Sequence, residues 1–201
     1  MADCKPVSTP VVPGLHLSKT MNPATLLERE EMEKIPYLNA IGALNYFAIC
    51  THPDISYTVG CLARYSEDPG LTHWMAVKHV MRYLKGTMDL KLTYSPSNLS
   101  SPFQTWTDAD HGGNPDNGKS TSGYLLKIGT GAISWSSKLQ TIIALSTTEA
   151  EYVAATAART EVVWTRNFLR ELGLKIDGPS DIHIDNQSAL SVAKNPKHHG
   201  Q

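Results

Sequence analysis

Cysteine is scarce in this chain. Its three cysteines, Cys4, Cys50 and Cys61, are odd in number, and none stands in a Cys-x-x-Cys pair. That argues against a disulfide framework and against a zinc ribbon, and makes a reducing, intracellular compartment the expectation. Long apolar runs are missing too. Nothing approaches the roughly 18 consecutive apolar residues of a membrane span, so no membrane partner is expected. The segment from Met1 to Gly14 has no basic stretch leading into an apolar core and does not read as a secretory signal. Nor does one sign of charge dominate: 18 Lys and Arg face 19 Asp and Glu, for a net charge of −1. Both halves of the chain are balanced. Binding to nucleic acid by bulk charge is therefore not indicated, and any phosphate contact would need a local stripe. What remains is ordinary globular material. Apolar residues make up 41% and charged residues 18%, in a length of 201 that has room for one domain and part of another.

The first 24 positions are proline-rich (Pro6, Pro10, Pro13, Pro23) and weakly periodic, which predicts an extended lead-in. Glu28–Lys34 could open a helix with a mostly polar face. Helical periodicity then sets in: Tyr37, Ile41, Leu44 and Ala48 fall on one face behind Pro36, and His52-Pro53 stops the run. Ile55, Thr58, Val59, Leu62 and Tyr65 line a second helix. A third is expected to be capped by Thr72 and closed by Gly86, with Trp74, Val77, Met81 and Leu84 inward. Its other side carries Lys78, Arg82 and Lys85. That stripe reads either as a solvated face or as a contact to phosphates.

After about position 88 the period becomes two. Leu90–Tyr94 alternates weakly, and a Ser/Pro/Asn linker follows to Pro102. Strands are expected over 103–108, 122–128 and 132–136, with Gly129-Thr130-Gly131 as a hairpin turn. A long helix runs from Thr147 to Leu172, with Val153, Ala157, Trp164 and Phe168 along one side. A strand over Asp181–Asp185 and a helix from Gln187 complete the order. Three strands, a long helix, a strand and a helix predict an α/β class fold, an α+β mixed sheet in which the fourth strand pairs in parallel. The expected division is 1–35 as lead-in, 36–88 as a small helical bundle and 89–201 as the sheet domain.

Acidic residues stand where these elements meet. Asp108 and Asp185 end strands, and Glu149 and Glu151 sit in the first turn of the long helix. Their immediate neighbours are uncharged, so gathered carboxylates would repel one another and need a hard cation such as Mg²⁺, with Mn²⁺ as a substitute. Each acid also has an ordinary role to hand. A strand-end Asp forms turns, Glu149 fits a capping box with Ser146, and Glu151 fits one with Thr148. Asp110 shares a face with Asp108 if the strand continues. Asp108-Ala109-Asp110 alone could also belong to a sugar-nucleotide metal site.

The segments Trp-Thr-Asp-Ala-Asp (106–110), Lys-Ser-Thr-Ser-Gly-Tyr (119–124), Ala-Ile-Ser-Trp-Ser-Ser-Lys (132–138), Ala-Leu-Ser-Thr-Thr-Glu-Ala-Glu-Tyr (144–152) and His-Ile-Asp-Asn-Gln-Ser-Ala (183–189) occur in order. Together they closely resemble the ribonuclease H domain of copia-type retrotransposon Pol polyproteins. Tyr37–Tyr46, Thr51–Tyr57 and Val80–Thr87 resemble the part that follows the reverse transcriptase palm there, and Cys4–Pro10 the end of that palm. The resemblance implies a ribonuclease H-like fold after a thumb-like bundle, and two-metal hydrolysis of the RNA strand of an RNA–DNA hybrid. It implies Asp108, Glu151 rather than Glu149, and Asp185 as catalytic metal ligands, with Asn186 and Gln187 touching the hybrid. The stripe Lys78, Arg82 and Lys85 would add phosphate contacts. The implied partners are the hybrid and the rest of the parent polyprotein, in a cytoplasmic virus-like particle or the nucleus.

The sequence departs from that pattern in places. Its last residues, Lys197-His198-His199-Gly200-Gln201, stand where the family continues with Lys-His-Ile-Asp or Glu and a final helix. The step carrying the fourth metal-site acid is missing, as are the palm's polymerase aspartates. His111 stands where a Trp is common. The expectation is a ribonuclease H weakened by the missing acid. The competing one is a non-catalytic remnant that at most binds nucleic acid.

Overall fold

The structure is a computed structural model and describes residues 3–95, 103–176 and 178–195. The linker over 96–102 and the chain end with Lys197, His198 and His199 lie outside the described residues. The chain forms two compact units, 1–91 and 92–201.

The first unit is helical. Helix α1 (Leu26–Glu33) opens on a capping box: Thr25 Oγ1 accepts from the Glu28 amide, and the Glu28 carboxylate accepts from the Thr25 amide at 3.2 Å. Its Arg29 pairs with Asp68 at 3.1 Å. Helix α2 (Tyr37–Cys50) buries the expected face of Tyr37, Ile41, Leu44 and Ala48. It packs on α3 (Ser56–Ala63) and α4 (Leu71–Gly86), around a core that includes Val59, Leu62, Val77 and Val80. Burying each such side chain contributes about 1.5–3 kcal/mol.

Two expectations for α4 are corrected. The helix begins at Leu71, with Gly70 rather than Thr72 at the cap. The Gly70 amide donates to His73 Nδ1 at 2.9 Å. Glycine is required there because a Cβ would run into the carbonyl of Met21. The buried face is His73, Ala76, Val77, Val80 and Tyr83, with Trp74, Met81 and Leu84 only partly covered. A buried imidazole stacked on Tyr65, ring centroids 4.2 Å apart, turns the helix away from the purely aliphatic stripe.

The lead-in is held along α4. Arg82 Nε donates to the Lys5 carbonyl at 2.7 Å, Lys85 Nζ to the Cys4 carbonyl at 2.9 Å, and His79 Nε2 to the Thr9 carbonyl at 2.9 Å.

The second unit is a four-stranded mixed sheet with helices. Strands β1 (Gln104–Asp110), β2 (Thr121–Ile128), β3 (Gly131–Leu139) and β4 (Asp181–Ile184) take the order β3-β2-β1-β4. The first three pair antiparallel and β4 pairs parallel to β1, as the element order predicts. Gly129, at φ 60°, makes the tight β2–β3 connection. Leu90–Tyr94 forms no strand. Its end instead meets that hairpin, where Ser95 and Thr130 exchange hydrogen bonds.

Helix α5 (Thr147–Glu171) lies against β1 and β2 through Ala150, Glu151, Ala154, Ala158, Val162 and Thr165. This corrects the expected inner side. Trp164 and Phe168 are on the outside, 59% and 46% exposed, because alanines allow the helix to sit close to the strands and leave no room for rings. Phe103, Leu126 and Val162 form the core beneath it. Helix α6 (Gln187–Lys194) follows β4. Among the described residues no helix is long and apolar enough to cross a membrane.

Candidate active site and metal centre

The parallel pairing of β1 with β4 places Thr107 opposite Ile184. The next residue in each case is an aspartate, Asp108 within β1 and Asp185 just past the end of β4, so the two emerge side by side; β1 runs two residues beyond the expected end at Asp108, to Asp110. Helix α5 starts over this pair and brings in Glu151. One carboxylate oxygen from each of Asp108, Glu151 and Asp185 lies within 4.8 Å of the others.

The three acids differ in environment. Asp108 and Asp185 are exposed, whereas Glu151 is 6% exposed. Glu151 Oε1 accepts from the Ala109 amide at 3.3 Å. Its Oε2 is buried and has no hydrogen-bond partner among the described residues. Burial pushes the Glu151 carboxyl above its ordinary range. The neighbouring charges of Asp108 and Asp185 push the same way, and the Ala109 amide opposes them.

Glu149 is used differently. Its carboxylate accepts from the Leu145 amide at 2.7 Å, while its own amide donates to Ser146 Oγ at 3.1 Å. It caps the helix and lies outside the cluster, so geometry separates two glutamates that local sequence left equivalent. Asp110 is also outside the cluster, and its carboxylate accepts from the Thr121 amide.

An orphaned buried carboxylate oxygen, two exposed carboxylates beside it, and no basic side chain bonded to any of the three among the described residues make an all-oxygen donor set. That set fits a hard divalent cation, which would satisfy Oε2 and remove the mutual repulsion.

The other sequence candidates are placed as follows. Asn186 caps α6, its Oδ1 accepting from the Ala189 amide at 2.9 Å. Gln187 opens that helix and is exposed, two positions after Asp185. Lys78, Arg82 and Lys85 belong to the first unit. Arg82 and Lys85 hold carbonyls of the lead-in, and Lys78 stands over the Trp74 ring, 6.0 Å from its centroid. His111 does not join the acids; its Nε2 donates to the Ala144 carbonyl at 3.2 Å.

Sequence reasoning missed two features. One is the Ala109 amide, a backbone donor with no signal in residue identity. The other is the stack of Trp106 on His183, centroids 5.2 Å apart, with Lys127 Nζ 5.4 Å from the Trp106 ring. The stack follows from the register, since Trp106 and His183 are direct partners across β1 and β4.

No protein-family model matches the chain, and no solved structure matches it. Among characterised sequences, the chain is 47% identical over all 201 residues to a retrovirus-related Pol polyprotein from transposon TNT 1-94 of Nicotiana tabacum. It is 37% identical over the same 201 residues to the corresponding polyprotein from transposon RE2 of Arabidopsis thaliana. The chain spans 15% and 13% of the lengths of those two proteins. It is also 42% identical over 133 residues, 66% of the chain, to the secreted RxLR effector protein 161 of Plasmopara viticola, of which the match covers 93%.

Proposed function

The chain belongs to the Pol polyproteins of copia-type retrotransposons, and on that footing we propose that its second unit is a ribonuclease H module. In this reading it has a ribonuclease H-like fold and hydrolyses the RNA strand of RNA–DNA hybrids. The observation that carries the reading is the convergence of Asp108, Glu151 and Asp185 within 4.8 Å.

Asp108, Glu151 and Asp185 would hold Mg²⁺, with Mn²⁺ as a substitute. A bound ion would supply positive charge at the phosphodiester and a water acidic enough to attack it at neutral pH. The chain's own residues do the rest. The Ala109 amide fixes the direction of the Glu151 carboxylate and leaves Oε2 free to ligate. Asp108 and Asp185, both exposed, remain reachable by a nucleic-acid backbone. Gln187, exposed at the start of α6, contacts the hybrid, while Asn186 keeps that helix start in place. The RNA strand is distinguished by its 2′-hydroxyls.

The first unit takes the thumb-like role, with residues 1–35 leading out of a reverse transcriptase palm, 36–88 forming the bundle and 89–201 the nuclease. Lys78, Arg82 and Lys85 then supply phosphate contacts from the bundle, and the parent polyprotein supplies the partner domains.

The test is cleavage of an end-labelled RNA–DNA hybrid by the chain with Mg²⁺ or Mn²⁺. Cutting of the RNA strand that Asp108→Asn abolishes supports the reading. Cutting that survives the substitution rules out the site. Binding without any cutting favours a non-catalytic remnant.

A further inference from the structure

Gln140 directly follows β3, and its backbone is fixed there by its amide, which donates to the Ser120 carbonyl at 2.8 Å. Its side chain is 5% exposed. Both hydrogens of its Nε2 are used, one to Ser122 Oγ and one to the Ala150 carbonyl, each at 2.9 Å. Ala150 immediately precedes Glu151. Ser122 is the register partner of Ala109 across β1 and β2. Ala109 is the residue whose amide holds Glu151 Oε1. These bonds, together with the β1–β2 pairing that sets Ala109 opposite Ser122, thus close a ring that runs from Glu151 through Ala109, Ser122 and Gln140 back to the carbonyl beside Glu151.

We infer that Gln140 is a positioning residue for Glu151. Its buried amide bolts the first turn of α5 to the sheet where the helix must present its carboxylate. This rests on reading Glu151 as a metal-site acid. Packing alone does not account for an amide here. Burying a polar side chain is unfavourable unless its groups are bonded, and Gln140 Oε1 has no hydrogen-bond partner among the described residues. An apolar side chain of the same length would fill the space without that orphaned oxygen. Capping does not require it either, since Ala150 lies inside α5 and Ser146 already caps the helix. What the amide supplies, and an apolar residue cannot, is a bridge with two donors. Groups behind metal-binding side chains act in this way by holding a ligand in its binding orientation.

The experiment compares Gln140→Met, Leu126→Ala and Glu151→Gln in the full chain, with Mn²⁺ binding read by calorimetry and folding by thermal melting. Gln140→Met keeps length and volume and removes both donors. It should weaken Mn²⁺ binding about 10–100-fold in a chain that remains folded. Leu126→Ala removes fully buried side-chain volume from β2. It should lower the melting temperature and leave Mn²⁺ affinity unchanged, which separates positioning from general destabilisation. Unchanged affinity in Gln140→Met, with affinity lost in Glu151→Gln, overturns the inference and leaves the ribonuclease H reading standing. Unchanged affinity in Glu151→Gln overturns that reading and the inference with it. An equal loss in Leu126→Ala and Gln140→Met also overturns the inference. Should Gln140→Met fail to fold, Ser122→Ala carries the test, because it deletes one acceptor and leaves the tie to α5. A several-fold loss of Mn²⁺ affinity is then expected, and none overturns the inference.

Discussion

Ala109 and Glu151 are joined by one hydrogen bond, from the strand amide to Oε1 at 3.3 Å. That bond ties the helix to the strand carrying Asp108, and the other oxygen of the carboxylate has no hydrogen-bond partner among the described residues. A side chain held in this way is prepared for a ligand and is costly without one.

Asp108→Asn keeps the shape of the side chain on β1 and removes one negative charge from the cluster. Hybrid cleavage should fall below detection, a loss of at least about 10²-fold, read on a labelled RNA strand. Asp185→Ala should lower Mg²⁺ affinity in calorimetry with the fold retained, because the residue is exposed.

Glu151 gives a pH dependence of defined sign. Its carboxyl titrates above the usual 4.5 in the folded chain, through burial first and the charges of Asp108 and Asp185 next. The folded state therefore holds this proton more tightly than the unfolded one. The stability linked to it is full below 4.5 and is lost as pH rises through the raised value. In EDTA the melting temperature of the second unit should fall over that window. Glu151→Gln should flatten the slope, and Mg²⁺ should restore stability on its neutral side.

Tyr83 donates to Asp54 at 2.7 Å, which together with burial lifts its hydroxyl from the usual 10 to about 12. Tyr83→Phe should destabilise the helical unit by about 1–3 kcal/mol in urea unfolding. In the wild-type chain this contribution is present below pH 10 and disappears as pH rises through about 12.

Arg82→Ala with Lys85→Ala removes two donors to the lead-in carbonyls. Amides around residues 4–9 should exchange faster by mass spectrometry, with the helical core unchanged. Lys78→Glu leaves those two bonds in place, and it should lower hybrid affinity and flatten its salt dependence. An unchanged salt slope would return Lys78 to an ordinary surface role.

The sequence made the course of the chain legible wherever an element buries one face against a neighbour with matching periodicity. Tyr37, Ile41, Leu44 and Ala48 lie where their spacing puts them, and the sheet pairs as its element order requires. It failed where size misleads. By size the rings of Trp164 and Phe168 mark an inner face, yet they stack on each other outside, centroids 5.4 Å apart, while Ala154 and Ala158 meet the sheet. It failed again where a polar residue is interior, as with His73. For the acids, Asp185 stands just past the end of β4 as expected, whereas Asp108 lies inside β1, which continues to Asp110 through its pairing with β2. The choice between Glu149 and Glu151 depended on a tertiary contact with the Ala109 amide, which no local capping rule contains.

The parallel place of β4 beside β1 has a consequence in time. Asp108 and Glu151 are made early, on elements that can pack as soon as α5 has formed. The third carboxylate arrives only when Asp181–Ile184 docks across a long crossover, and such nonlocal pairing is slow. On a ribosome, the nascent chain would hold an incomplete carboxylate set until β4 is in register. A carboxylate cluster assembled this way stays incomplete until β4 has docked beside β1.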